Sequence, residues 1–446
     1  MEKISKYDLL TTGAISRVIP QLALPAIIGM VVTSIYNIVD SYYVGLINTQ
    51  ATAAVGVVFP VMAILQAVGF FFGQGSGTYI SRQLGAKQDQ KAQTMASTAL
   101  LTALLTGVAI TVFGLLFLEP LSKGLGSTPT ILPYTKDYLG VILLGAPVMT
   151  CSMVLNNQLR FEGNARESMY GMVLGALLNV GLVPLFTFTF GLGILGTAIG
   201  TVLSQVAALL VMWYYARRGE SVKVSLRGAR FEREYMLQIV AGGSPSLSRQ
   251  GLASVSTLML NVAAGAYGDA AIAGMSLVTR IVFIIFAVLI GFGHGFQPLC
   301  GFCYGAGLYD RVKQGFWFCV KFACVFSVVA CVPAFLMSDS LIDLLRHDAA
   351  VVAVGGVALR WQLVTTPLGA FVMYSNMMMQ TSGSTLSANL LAMMRNGICF
   401  IPTLLIMNYL MGLSGVEMSQ AIADVLAFLV AIPLTVQFFR SLRKPA

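Results

Sequence analysis

The sequence predicts an all-α polytopic membrane protein, with twelve transmembrane helices in two parallel six-helix lobes. Three observations predict it. The 446 residues are 57% hydrophobic and only 10% Asp, Glu, Lys or Arg, against about 25% charged in an average soluble protein, and mean hydropathy is +0.81. So few charges cannot cover a soluble surface, and disorder needs the opposite composition. Apolar runs of bilayer length recur along the chain, without the short alternating strands of a barrel. The sequence also repeats itself at a constant offset of 220 residues.

The elements follow in order. The segment Met1–Arg17 is polar and of mixed charge. No short apolar stretch with a small-residue cleavage site follows it, so the first apolar run reads as a retained span. Cutting the runs at charged or Gly/Pro/Asn clusters places six spans at 16–40, 52–78, 93–117, 135–158, 168–190 and 194–215. A basic stretch, Arg217–Arg233, separates them from 236–263, 270–298, 314–337, 354–378, 387–410 and 414–439. Each meets the ~20 residues that a bilayer helix needs. The expected domains are an N-terminal lobe at 1–215, a basic cytoplasmic linker at 216–235 and a C-terminal lobe at 236–446.

The net charge of +9 fits this scheme better than nucleic-acid binding, because the basic residues sit in gaps between apolar runs. With the N-terminus inside, nineteen Lys and Arg residues fall on inner segments, and only Lys123, Lys136 and Arg346 on outer ones. That positive-inside bias places both termini in the cytoplasm, in a multi-pass protein of the cytoplasmic (inner) membrane. Seven Cys argue against a disulfide framework. Cys300-x-x-Cys303 has metal-like spacing but lacks further ligands, so no metal is expected.

In the repeat, Pro25 matches Pro245, and seven residues of 67–86, from Ala67 to Ala86, match identities between Ala287 and Ala306. Pro147, Met153, Asn156 and Gly163 match Pro367, Met373, Asn376 and Gly383. Six spans per half make the repeats parallel, related by an axis along the membrane normal.

Ionisable groups within spans are costly and hence functional candidates. Asp40 ends the first span, and helical spacing puts Tyr36 and Asn37 on its face. A carboxylate there suits H⁺ or Na⁺; the alternative is an interfacial acid facing water. In the second half Arg249, Arg280 and Arg395 lie at mid-depth with Asp424, as either a structural ion-pair network or a charge relay and anion-attracting wall. Met373 and Met377 crowd the tenth span with Met378 and Met379, as apolar filler or as a wall that repacks around varied ligands. Gln66, Asn156, Asn157 and Asn376 are further polar candidates for a substrate cavity. Gly73-Gln74-Gly75-Ser76-Gly77 lacks the Gly-Lys-Ser/Thr ending of a phosphate loop and reads as close helix packing. No reactive cluster suggests an enzyme, and no ATPase motif exists.

The chain resembles the multidrug and toxic compound extrusion (MATE) family, in its MepA-like branch. The residues that carry this are Asn37–Asp40, Gly77–Ala86, Gly196–Thr201, and Gly295-Phe296-Gln297-Pro298 through Tyr304-Gly305-Ala306 to Lys313. The resemblance implies two lobes that expel cationic, amphipathic compounds in exchange for Na⁺ or H⁺. It implies that Asp40 is the coupling acid, that Asn179 and Thr201 are its partners, and that Pro25 is where the first helix bends. Many members have Asp before the proline of the fifth span. Here Val183 precedes Pro184, which tilts the expectation toward H⁺. Ala253 and Phe371 stand near the second-lobe acids of other branches. Two alternatives stay open on the same scaffold: a flippase for a lipid-linked oligosaccharide, and an exporter of anionic or zwitterionic metabolites. No cofactor beyond the coupling ion is expected. The expected partners are small-molecule substrates and the lipid bilayer, with no nucleic acid, and the chain is expected to be a monomer.

Overall fold

A computed structural model describes residues 5–219 and 222–442; the side chains of Asn37 and Leu226 are outside it. Lys3, Arg443 and Lys444, three of the inner basic residues, lie outside the described residues. Among the described residues every regular element is a helix. The first half holds α1 (Lys6–Thr12), α2 (Ile15–Gly45), α3 (Thr49–Gly85), α4 (Asp89–Leu116), α5 (Leu118–Gly124), α6 (Leu132–Leu144), α7 (Ala146–Phe161), α8 (Ala165–Pro184) and α9 (Gly193–Arg217). The second holds α10 (Arg233–Gly265), α11 (Asp269–Gly305), α12 (Tyr309–Leu336), α13 (Ser338–Leu345), α14 (Ala349–Ser382), α15 (Thr385–Met393), α16 (Phe400–Met411) and α17 (Leu413–Ser441). The repeat is visible in the elements: α3 and α11 have 37 residues each, α4 and α12 have 28 each, and both pairs begin 220 residues apart.

Ten helices among the described residues are long and apolar enough to cross a membrane, or eleven with α6 and α7 joined across their 49° bend. The expected span 236–263 coincides with α10. That helix has 33 residues, but Ser246, Arg249, Gln250 and Ser256 make it too polar to pass the same test. The expected span 135–158 is broken at Gly145, ahead of Pro147, whereas its repeat partner α14 runs unbroken through Pro367. A proline removes one backbone hydrogen bond and bends a helix only where neighbours allow it.

The chain divides into two compact units, 1–7 with 21–243 and 8–20 with 244–446. These differ from the expected lobes in two places. Residues 222–243 belong to the first unit because the linker is pinned to α4: Thr98 Oγ1 donates to Arg230 O at 3.1 Å and accepts from its N–H at 2.9 Å. Residues 8–20 belong to the second, where Arg311 donates to the carbonyls of Leu10 and Gly13.

Within the first unit α3 packs on α4 and α7, and α8 packs on α9. The glycine-rich turn of α3 serves close approach. A Cβ on Gly75 would run into the Ile239 carbonyl, and one on Gly77 into the Phe161 ring. Within the second unit α14 is central, contacting α11, α12 and α17. Phe316 joins Phe371 and Phe439 there, with ring centroids 5.6 and 5.4 Å away. Large apolar side chains point outward all along the spans, among them Leu116 at 71% and Leu336 at 75% exposed. Such a surface suits lipid and would aggregate in water.

Gly75→Ala is expected to destabilise by about 1–3 kcal/mol, since the obstructing atom is backbone and overpacking costs that much. Gly56→Ala, with nothing within 4 Å of its Cβ, should leave the midpoint of thermal unfolding in detergent unchanged. Equal midpoints for the two variants would refute the packing role.

Candidate functional site

In the first unit Asp40 lies near the end of α2, half-buried. Its Oδ1 is fully shielded and has no hydrogen-bond partner among the described residues. Tyr36, one turn earlier, and Tyr138 on α6 are close enough to feel its charge. Asn37, the third residue expected on this face, has its side chain outside the described residues. Asn179 and Thr201 meet: Asn179 Nδ2 donates to Thr201 Oγ1 at 3.3 Å, and both are buried. Thr201 Oγ1 donates in turn to Thr197 O at 3.0 Å, and Thr197 pairs with Thr187 at 2.9 Å. No hydrogen bond links this chain to Asp40 among the described residues. Helix α2 runs through Pro25 without a break.

In the second unit a cavity of about 340 Å³ opens between α10, α11, α14 and the Thr385–Met411 span, within the range of small-molecule sites. Arg249, Ala253, Ser256, Thr257 and Leu260 of α10 line it, on one helical face by their spacing. The polarity of α10 is thereby explained in part: Arg249, Gln250 and Ser256 line the cavity, whereas Ser246 is buried and accepts from Gln380. Arg249 donates to Asn376 Oδ1 at 3.2 Å, and Asn376 Nδ2 donates to Ala388 O. Arg395 sits on a π-turn, Met394–Ile398. It donates to Asp424 through Nε at 2.8 Å and through its NH2 group at 3.4 Å, and its guanidinium lies 4.1 Å from the centre of the Phe286 ring. Gln420 adds a third bond to Asp424 at 3.0 Å.

The expected group of four charges is therefore divided. Arg395 and Asp424 pair, Arg249 stands on the cavity wall, and Arg280 is exposed and outside the lining. Of the expected cavity residues, Met373, Met377 and Asn376 line this cavity. Asn156 and Asn157 are interior: Asn156 donates to Ser168 Oγ at 2.7 Å, and Asn157 Oδ1 accepts from Gln74 and Arg160. Gln66 is exposed. Cys300 and Cys303 are buried in α11.

Sequence reasoning missed Tyr138, Gln420 and Glu162. Gln420 precedes Asp424 by one helical turn, a readable spacing; nothing local marks the other two. Glu162 follows α7 and is 5% exposed. Lys6 donates to Asn164, and Asn164 donates to Glu162 Oε2 at 3.1 Å. Burial pushes the Glu162 carboxyl up to about 8, against the opposing pull of Lys6 and Asn164.

The MatE family profile matches residues 25–185 and 245–410. The chain belongs to the MatE family. Both matched stretches start at a proline of the repeat, Pro25 and Pro245. The multidrug export protein MepA of Staphylococcus saprophyticus is 30% identical over 412 residues, covering 92% of this chain and 91% of the relative. MepA of Staphylococcus aureus strain N315 is 31% identical over the same length and shares. An outward-facing multidrug resistance MATE family transporter of the MOP superfamily superposes with a TM-score of 0.93 at 27% identity, covering 100% of both chains. The chain is thus a multi-pass membrane protein of a transporter family, with the two-lobe layout of the MATE fold.

Two outcomes follow for the charged residues of this MATE protein. Removing one partner of a buried pair leaves an uncompensated charge, so Asp424→Ala or Arg395→Ala should each cost roughly 3 kcal/mol. The double variant should cost less than their sum; strict additivity in thermal unfolding would mean that the pair is not coupled. Glu162 is raised, so between the ordinary glutamate range and about pH 8 the folded chain holds a proton that the unfolded chain has released. Stability then falls as pH rises through that window. Glu162→Gln should flatten this fall; an unchanged pH profile of the unfolding midpoint would reject the assignment.

Proposed function

We propose that the chain is a secondary antiporter of the cytoplasmic membrane. It exports amphipathic, cationic drugs or toxic metabolites in exchange for H⁺, with both termini in the cytoplasm. The multidrug export named for its MepA relatives supports the cargo class. The observation that carries the coupling is Asp40. A shielded carboxylate oxygen without a partner is costly, and taking a proton or a cation removes that cost. Tyr36 and Tyr138 add two phenol oxygens to the surroundings, while apolar Val183 fills the position before Pro184. Among the described residues that is a thin ligand set for Na⁺, because hard cations take several oxygens, so H⁺ is the preferred ion.

In this reading, Asp40 takes a proton from outside, α2 shifts near Pro25, and cargo leaves. A bound ion moves such an equilibrium only by its differential affinity for the two states. Asn179 and Thr201 tie α8 to α9. The test is Asp40→Asn in proteoliposomes loaded with a fluorescent amphipathic cation under imposed pH or Na⁺ gradients. Gradient-driven export should vanish while membrane insertion stays as in the wild type and the midpoint of thermal unfolding is not lowered. Full export by the variant would overturn the coupling role, and export driven by Na⁺ alone would overturn the choice of ion.

A further inference from the structure

The cavity of the second unit has a charge pattern that the export of cations does not use. Its charged lining residues are Arg249 and Arg395, and no carboxylate is among the residues that line it. Arg395 is already neutralised, because Asp424, 2% exposed, takes both its Nε and its NH2 group and accepts from Gln420 as well. Arg249 is in a different state. Of its five N–H donors, one group is bonded, to the amide oxygen of Asn376. It has no ion pair among the described residues. A half-buried guanidinium without a counter-ion is unfavourable. It persists where a ligand brings the missing charge.

Around it the wall is apolar and aromatic: Phe283, Phe286, Met373, Met377 and Phe400 line the same space. Asn376 is itself held by Ala388 O, so the fork of Arg249 is aimed rather than free. We propose that this cavity is a binding site for amphipathic organic anions. A carboxylate or sulfonate would take the open donors of Arg249, and an apolar body would lie against the Phe and Met side chains. An anion gains a charge-assisted, often bidentate contact. A cation of the same shape meets the uncompensated guanidinium of Arg249 and no lining carboxylate to offset it. The claim goes beyond the antiport reading, because it concerns binding and holds without a gradient.

Two probes with one body decide it: pyrenebutyrate and a pyrenylbutyl trimethylammonium. Each is measured by equilibrium dialysis as the excess bound by full-length protein in phosphatidylcholine nanodiscs over empty discs. A hydrogen bond to a charged group contributes about 1.5–3 kcal/mol, so the anion should bind at least about tenfold tighter than the cation. Arg249→Gln should remove that preference, Arg249→Lys should restore part of it, and Arg280→Gln should leave it intact. Asn376→Asp, which gives Arg249 a carboxylate in place, should weaken the anion and not the cation, and it serves where Arg249→Gln fails to fold. Replacing part of the lipid by phosphatidylglycerol names the source of the anion. Competition points to a lipid headgroup, and its absence to soluble cargo. Equal binding of the two probes, or an unchanged preference in both Arg249→Gln and Asn376→Asp, overturns the proposal. Asp40→Asn should keep the anion preference while losing gradient-driven export, so failure of one reading leaves the other measurable.

Discussion

In a bilayer, every backbone polar group must find its partner inside its own segment, and this constraint shapes the whole chain. Helices meet it. They then associate without a hydrophobic drive, because lipid is as apolar as a leucine side chain, so close packing and internal hydrogen bonds hold them. Both are visible here. Gly75 and Gly77 bring α3 against Ile239 and Phe161. Thr111 Oγ1 on α4 donates to the Leu143 carbonyl on α6 at 2.6 Å. Asp40 Oδ1 finds no such partner among the described residues.

Duplication supplied the same scaffold twice, and the halves then diverged in polar content. Helices α3 and α11 share their length and their offset. The polar centres do not correspond. The first unit pairs Asn179 with Thr201 and leaves an acid oxygen alone. The second pairs Arg395 with Asp424 and leaves an arginine on a cavity wall. The two units of this MATE protein therefore differ in the charge they leave without an ion pair among the described residues, an acid in the first and an arginine in the second.

Much of the fold was legible in the sequence, because hydropathy and length are properties of contiguous residues. Eleven of the twelve expected spans coincide with apolar helices once α6 and α7 are joined. The twelfth, α10, shows the limit. Arg249, Gln250 and Ser256 depress its hydropathy and line the cavity, while Ser244, Ser246 and Ser248 bond to Asn389 and Gln380. The site was legible in part. Asp40 stood out as a charge within an apolar run. Asn156 and Asn157 looked equally suitable for a cavity, but Asn156 bonds to Ser168 on α8 and Asn157 to Gln74 on α3. Helical period places residues on a common face without saying which neighbour that face meets.

The sequence by itself determined the membrane class, the positions of the spans, the 220-residue repeat and the short set of charges within apolar runs. Each follows from local composition or from register along one chain. Tertiary structure alone decided which charges meet. It joined Arg395 to Asp424 across 29 residues, set Arg280 apart, and tied residues 8–20 to the unit that begins at Ser244. It also buried Glu162 beneath Asn164 and Lys6. The physical reason is that a charge's partner depends on distances between helices that are far apart in the chain, and no local pattern encodes those distances.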